Sequence, residues 1–262
     1  MVGWIFLILG FYLFLCLFDC MEKIIFGIFF ILYWGSLFGQ KISFYDGRNA
    51  ILTDQKVRMI GTKEDFSFEK GFWEAEIEIP LGKQISVACS YFEYEGNTKV
   101  AFPKGSVLLV NGLNVGKVGF SGIDIRRYNL ISRYTFGRKF LFEPGLGFSY
   151  QKSIANEFEV GSLNVVNGPD YVATGTRSTT YTRSQIIPVA EIRLSYGFFN
   201  VLYLNFRVAG ALGFKSHQDL YMDYTYKGVS QPTAVFQARG TGIFYTAGLS
   251  LDFGNLYRIL FK

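Results

Sequence analysis

The chain has 262 residues, of which 50% are hydrophobic, 18% are aromatic and 18% are charged. Its 26 lysines and arginines against 21 acidic residues give a modest formal charge of +5, spread along the chain with no basic run. This argues against a nucleic-acid partner. With a single histidine, His217, and three cysteines without zinc-ligand spacing, the sequence predicts no metal site and no cofactor.

Two apolar runs open the chain. We interpret residues 21–40 as a signal peptide, because a short charged start at Met21 precedes an apolar stretch and small or polar residues end it. Residues 1–20 are then an upstream extension or an extra leader, and the mature chain begins near Gln40. The alternatives are a pair of short membrane helices and, more weakly, a lipoprotein signal ending at Cys20.

The remaining residues, 41–262, form one predicted domain with clear strands from about residue 71. No apolar run here is long enough for a spanning helix, so a membrane-spanning fold has to use strands. Apolar and acidic residues alternate over Trp73–Leu81, and the chain turns at Gly82. A period of two places the two kinds of side chain on opposite faces of a strand. This pattern predicts a β-hairpin.

Two more hairpins are predicted with turns at Gly137 and Gly197, and a last strand is predicted to place Tyr245 to Phe253 alternately outward. These signals give seven strands. Since both chain ends of a closed barrel of this kind lie on one side, an eighth strand is required, and the segment between Leu52 and Phe68 is the candidate. That segment has the weakest alternation, and a tail is the alternative interpretation.

Three long connections, over residues 95–120, 151–184 and 215–240, alternate with the short turns. This asymmetry is typical of outer-membrane barrels, whose short turns face the periplasm. We therefore predict an all-β fold: a transmembrane, antiparallel, up-and-down β-barrel of eight strands.

Polar residues on the second face of these strands carry charges of both signs. Eight strands enclose an interior just wide enough for side chains. We expect a structural charge network in the lumen, made of Glu74, Glu76, Glu78, Arg127, Arg133, Glu143, Glu191, Arg193, Arg207 and Asp252. A soluble periplasmic lipid-binding barrel would show the same alternation with the faces exchanged. The leader, the aromatic content and the last strand favour the membrane barrel.

These features resemble the small eight-stranded bacterial outer-membrane β-barrel proteins, the porin-like and outer-membrane protein A/X-like families. The resemblance rests on the signal-like residues 21–40, the repeated hairpins, Phe140–Tyr150 and Gly248–Phe253, and it covers about residues 50–254. It implies a bacterial outer-membrane location after export by a cleaved signal peptide, insertion by the barrel-assembly machinery, and contact with outer-membrane lipid and lipopolysaccharide. Family members often end on an aromatic residue, whereas this chain runs on to Lys262.

No catalytic residue is predicted. The Ser216-His217 pair, with Asp219 nearby, is the one candidate for lipid A acyl-chain chemistry, and a solvated loop histidine is the simpler interpretation. The long connections carry tyrosines among Ser, Thr and Asn, a composition suited to an extracellular ligand. The sequence thus predicts a structural or surface-interaction protein with a plugged lumen. The alternatives are a narrow pore for small solutes, a lipid A-modifying enzyme and a soluble lipid carrier.

Overall fold

The computed structural model describes residues 40–60, 65–68, 71–101, 109–110, 113–114, 117–155, 171–198 and 201–260. Both predicted leader segments, residues 1–20 and most of 21–40, lie outside these ranges. The elements are β1 (Lys41–Val57), β2 (Asp65–Phe68), β3 (Phe72–Pro80), β4 (Ile85–Ala101), β5 (Leu109–Val110), β6 (Leu113–Asn114), β7 (Lys117–Tyr134), β8 (Phe136–Gly137), β9 (Phe140–Ala155), β10 (Tyr171–Thr180), β11 (Arg183–Phe198), β12 (Leu202–Ala211), β13 (Gln218–Tyr226), β14 (Val229–Ser230), β15 (Ala234–Asp252) and α1 (Phe253–Leu260).

Eight long antiparallel strands close into a barrel in the order β1, β3, β4, β7, β9, β11, β12, β15 and back to β1. The closing pair, β1 with β15, runs from Lys41 opposite Asp252 to Val57 opposite Val235. Each barrel strand therefore has a hydrogen-bonded neighbour on both sides. Full closure removes the free strand edges that hydrocarbon cannot solvate.

The first barrel strand begins earlier than the sequence predicted. The candidate segment between Leu52 and Phe68 supplies only the end of β1 and the short β2, which pairs with Ala50–Thr53. The alternation fails to mark β1 because its outward face continues from Phe44 to the charged Asp46 and Arg48. A barrel strand whose outer face turns polar halfway along loses the apolar period that identifies it.

The predicted long connections are partly β-structure. β4, β7 and β9 extend beyond the predicted hairpins, and β10 and β13 form an extra pair next to the upper end of β15. In that part of the chain Ala234–Ala238 of β15 pairs with β13 on one side and with β1 on the other. The sheet therefore continues above the barrel on the side of the long connections.

The last strand ends one residue before its predicted end. Phe253 begins α1, so it does not lie in the outward row of β15. The backbone N–H of Asn255 donates to Asp252 Oδ1 at 2.9 Å, which places Asp252 at the helix N-cap. The residues beyond Phe253 thus form a short helix at the end where the chain turns are short.

Side chains alternate between the two barrel faces as predicted. Leu146, Phe148 and Tyr150 of β9 are exposed on the outside, whereas Glu143 and Ser149 are fully buried inside. The outer face is apolar, and the interior holds buried charges together with a cluster of buried apolar side chains that includes Phe72, Phe92 and Phe244. Apolar residues outside and charges inside are the distribution of a barrel surrounded by lipid and the reverse of a soluble carrier. Among the described residues no helix has the length and apolar character to cross a bilayer.

Candidate functional site

Ion pairs fill the interior of the barrel's lower half. We call this set the plug: Glu74, Glu76, Glu78, Arg133, Glu143, Glu191, Arg193 and Arg207. Every charged side chain in it is at most 3% exposed. Charges removed from water to this extent have to be paired and hydrogen-bonded, because an unpaired buried charge costs several kcal/mol, about 3–5.

Glu76 occupies the centre of the plug. Its carboxylate accepts from Arg133 at 2.5 and 2.7 Å, from Arg193 at 3.0 Å and from Arg207 at 3.1 Å. The hydroxyl of Tyr45 donates to the same carboxylate at 3.1 Å. One carboxylate on β3 therefore connects β1, β7, β11 and β12 across the lumen.

The remaining carboxylates complete the pairing around Glu76. Glu78 accepts from Arg193 at 2.6 Å, and Glu143 accepts from Arg193 at 2.7 and 2.9 Å and from Ser195 at 2.7 Å. Glu74 pairs with Arg207, and Glu191 pairs with Arg133. The Glu78–Arg193 and Glu74–Arg207 pairs cross the lumen, whereas Glu143 joins the neighbouring strands β9 and β11.

Arg193 and Arg207 lie directly opposite each other on neighbouring strands, and both point inward. Like charges in this cross-strand position repel and destabilise a sheet. The contacts of Glu76 with both guanidiniums offset the repulsion. The strand register thus explains why a carboxylate lies between these two guanidiniums.

Two of the ten predicted lumen charges are buried inside the barrel but lie outside the plug. Asp252 caps α1. Arg127 lies higher in the barrel and donates to Gln151 Oε1 at 2.8 Å and to the Gly240 carbonyl at 2.6 Å. Its guanidinium carbon lies 4.3 Å from the ring centroid of Phe244, a cation–π geometry. The structure brings the other eight together.

Tyr45 contacts the plug, and the sequence did not indicate it. It is fully buried, its hydroxyl reaches Glu76, and Arg207 lies 4.7 Å from its ring centroid. Because it lies on β1, where the alternation is broken, no strand was assigned to it. The inward row of Ser43 and Tyr45 is the only sequence signal that would have found it.

The Ser216-His217 pair lies in the connection between β12 and β13, above the spanning part of the barrel. The Ser216 hydroxyl donates to Asp219 Oδ1 at 2.5 Å, and neither ring nitrogen of His217 has a hydrogen-bond partner among the described residues. A nucleophile and its base have to share a hydrogen bond. Ser216 and His217 therefore do not form the nucleophile–base pair that the catalytic alternative requires.

His217 is nonetheless fully buried beneath β10 and β13. The pKa of His217 is lowered from 6.5 to about 3, mainly by burial and also by the Arg127 guanidinium, while the Asp219 carboxylate acts in the opposite direction. The imidazole is therefore neutral at neutral pH. Within the described ranges no group of three or more His, Cys, Asp or Glu side chains has the arrangement of a metal site.

Above the barrel, β10, β13 and the chain that joins β10 to β11 present stacked cations and tyrosines. The guanidinium carbon of Arg177 lies 5.0 Å from the Tyr221 ring centroid, and that of Arg183 lies 3.9 Å from the Tyr181 ring centroid. The Tyr181 hydroxyl donates to Asp219 Oδ2 at 3.0 Å. This extension is a rigid, polar and aromatic surface.

Two rows of aromatic side chains border the apolar outer surface. Near the short turns, Tyr134 packs on Phe136 with ring centroids 4.7 Å apart, and Tyr196 packs on Phe198 at 4.8 Å. Near the other end, Tyr91 and Tyr128 have ring centroids 5.0 Å apart. Aromatic rows at both borders of an apolar surface mark the two membrane interfaces.

The apolar surface has unequal height around the barrel. On β9 the outward apolar residues continue from Phe140 to Tyr150, and the first outward charge is Lys152. On β1 the outward charges begin at Asp46, followed by Arg48, and both side chains are exposed. The apolar surface is therefore lowest at β1.

Closure, an apolar exterior between aromatic rows and a charged interior together define a transmembrane β-barrel of the outer-membrane type, the fold that the sequence resemblance implied. No protein-family model and no curated protein matches the chain. Solved structures with a similar fold include OprG from Pseudomonas aeruginosa, with 11% identity over 81% of this chain and 95% of that chain and a TM-score of 0.46.

Two further structures show the same kind of similarity. A major outer membrane protein from Thermus thermophilus has 12% identity over 81% of this chain and 98% of that chain, with a TM-score of 0.41. Neisserial surface protein A has 9% identity over 82% of this chain and 97% of that chain, with a TM-score of 0.39. At this level of identity they are similar in fold alone.

Proposed function

We propose that the chain is a bacterial outer-membrane protein with a closed lumen, which acts at the cell surface through its extracellular strands and does not conduct solutes. The observation that carries the proposal is the plug, whose buried ion pairs cross the lumen from strand to strand. Opening a passage for solutes would separate several of these pairs. Export by a cleaved signal peptide, insertion by the barrel-assembly machinery and contact with outer-membrane lipid and lipopolysaccharide belong to the same proposal.

Planar-bilayer recording of the purified barrel tests the closed lumen. We expect no steady current from the wild type and measurable conductance from the pair Glu76→Ala and Arg193→Ala, which removes the centre of the plug. The matched control is Glu93→Ala with Arg126→Ala, a half-exposed ion pair at 3.1 Å on the outer surface. Steady single-channel current from the wild type would instead make the protein a narrow pore.

The surface role rests on the extension formed by β10 and β13. Its stacked arginines and tyrosines are ordered by the sheet, so a partner would meet a preformed surface. Bacteria producing Arg177→Ala with Tyr221→Ala are expected to adhere less well to arrays of host surface proteins and glycans than bacteria producing the wild type. Equal adhesion at equal surface levels would remove this role.

We also propose that the protein is not an enzyme. The support is the hydrogen bond from Ser216 to Asp219, which leaves His217 without contact to a nucleophile among the described residues. Mass analysis of lipid A from cells producing the wild type and His217→Phe is expected to give identical acyl patterns. A change in the lipid A acyl pattern that is present with the wild type and lost with His217→Phe would show that the protein is an enzyme.

A further inference from the structure

A groove of about 620 Å³ runs along the lipid-facing surface where β9, β11, β12 and β15 meet. Pro188, Ala190 and Gly210 form its floor, because their side chains are small or absent. Leu146 and Leu212 form its walls, with 71% and 58% of their surface exposed. The result is an apolar groove on the lipid-facing surface.

The groove lies in the extracellular half of the bilayer. Pro188 is on the same strand as Tyr196, which lies in the aromatic row near the short turns. A strand rise of about 3.3 Å per residue and a tilt of about 40° place Pro188 roughly 20 Å above Tyr196. The apolar part of a barrel is about 25 Å tall, so the groove faces acyl chains of the outer leaflet.

Polar and then cationic side chains follow above the groove. The Tyr150 hydroxyl donates to Ser184 Oγ at 2.9 Å, and Lys152 lies opposite Ser184 in the strand register. Lys215 follows Leu212 on the other flank of the groove, and both lysines are exposed. Neither lysine has an ion-pair partner among the residues that the structure describes.

We propose that this groove binds one acyl chain of a phosphorylated outer-leaflet glycolipid of the lipid A type, with its phosphate at Lys152 and Lys215. Along the membrane normal the apolar groove is followed by hydroxyl groups and then by ammonium groups. This order matches that of acyl chain, sugar and phosphate in such a lipid. Ammonium groups at the membrane surface attract anionic headgroups. This inference rests on the proposed outer-membrane location.

Native mass spectrometry of the full-length barrel in detergent tests the site, with bisphosphorylated hexa-acyl lipid A and its phosphate-free form as probes. We expect one molecule of the bisphosphorylated form to remain bound and at least tenfold weaker retention of the phosphate-free form. Lys152→Ala with Lys215→Ala should reduce retention to the same extent. Lys56→Ala with Arg58→Ala, two exposed cations at the end of β1, is the matched control.

Filling the groove tests the acyl-chain part independently. A side chain at Gly210 would point into open space, with the Ala190 carbonyl oxygen at 4.0 Å as its nearest neighbour. Gly210→Leu is therefore expected to fold, as checked by heat-dependent gel migration, and to lose the lipid. Ala247→Leu, which places the same side chain on the lipid-facing side of β15 outside the groove, should keep it.

Equal retention of both lipid A forms, or full retention by a folded Gly210→Leu barrel, would overturn the site. An adduct with phosphatidylglycerol but not with lipid A would overturn the choice of lipid. These outcomes are independent of bilayer current, which tests the closed lumen. A barrel that conducts and still retains lipid A through Lys152 and Lys215 would therefore contradict the closed lumen of the proposed function. The same result would support the lipid site.

Discussion

Glu76 binds three guanidiniums and a tyrosine hydroxyl in a space without bulk water. Glu76→Gln keeps the shape of the side chain and removes the one carboxylate that Arg193 and Arg207 share, so that Arg193 keeps only Glu78 and Glu143 and Arg207 keeps only Glu74 and Glu191. Breaking a buried ion pair costs about 3–5 kcal/mol. We expect a loss of this size in the free energy of unfolding, measured by urea titration of the barrel in lipid vesicles.

The external pair of Glu93 and Arg126 provides the control for Glu76. Their side chains are 39% and 43% exposed, and an ion pair of this kind contributes about 0–1 kcal/mol. Glu93→Gln should therefore leave the urea midpoint nearly unchanged. Equal effects of the two substitutions would mean that the plug contributes little to stability.

His217 gives the protein a pH dependence of known sign. In the unfolded chain histidine titrates near pH 6.5, whereas in the folded protein its pKa is about 3. Between these values the unfolded state binds a proton that the folded state excludes. The free energy of unfolding therefore decreases as pH falls below 6.5, by about 1.4 kcal/mol per unit.

His217→Phe removes this proton and keeps an aromatic ring in the same place. Between pH 7.5 and pH 5.0 the wild type should lose about 2 kcal/mol more than the variant. Urea titrations of both proteins at the two pH values measure this difference. The same pH dependence in both proteins would show that His217 is accessible to protons in the folded state.

At the scale of the strand, the close contact of β15 with β1 depends on glycine. A Cβ atom at Gly248 would clash with the Phe44 carbonyl oxygen, which cannot move without breaking the ladder. Gly248→Ala is expected to destabilise the barrel by roughly 1–3 kcal/mol, as overpacked positions do. Gly210→Ala adds the same atom in open space and should have little effect in the same urea titration.

Alternation was sufficient to predict most of the barrel strands and the eight charges of the plug, because those strands separate apolar from polar residues cleanly. It failed for β1, because Asp46 and Arg48 take outward positions and interrupt the apolar row. Tyr45 was therefore not assigned to a strand. At Asp252 it indicated the buried face of β15 but not the role of the side chain. A period of two cannot show where a strand ends, and the side chain caps a helix instead.

At the scale of the whole molecule, the assignment of faces makes a direct prediction. Trp73 is 76% exposed on the outer surface. Residues 40–262 contain a single tryptophan, so in the barrel without its leader, lipids brominated in their acyl chains should quench most of the tryptophan fluorescence. A barrel inverted relative to this structure would place the indole in water, and water-soluble quenchers would then be the effective ones.

The unequal height of the apolar surface has a mechanical consequence for the bilayer. A charge on the lipid-facing side of a barrel costs about 2–4 kcal/mol at the midplane and little at the interface. The membrane can therefore lower its energy by compressing around β1, so that Asp46 and Arg48 meet headgroups and water, or by letting the barrel lean. Either response deforms the bilayer around the protein. The bilayer thickness then changes most steeply beside β1, the strand that closes the barrel.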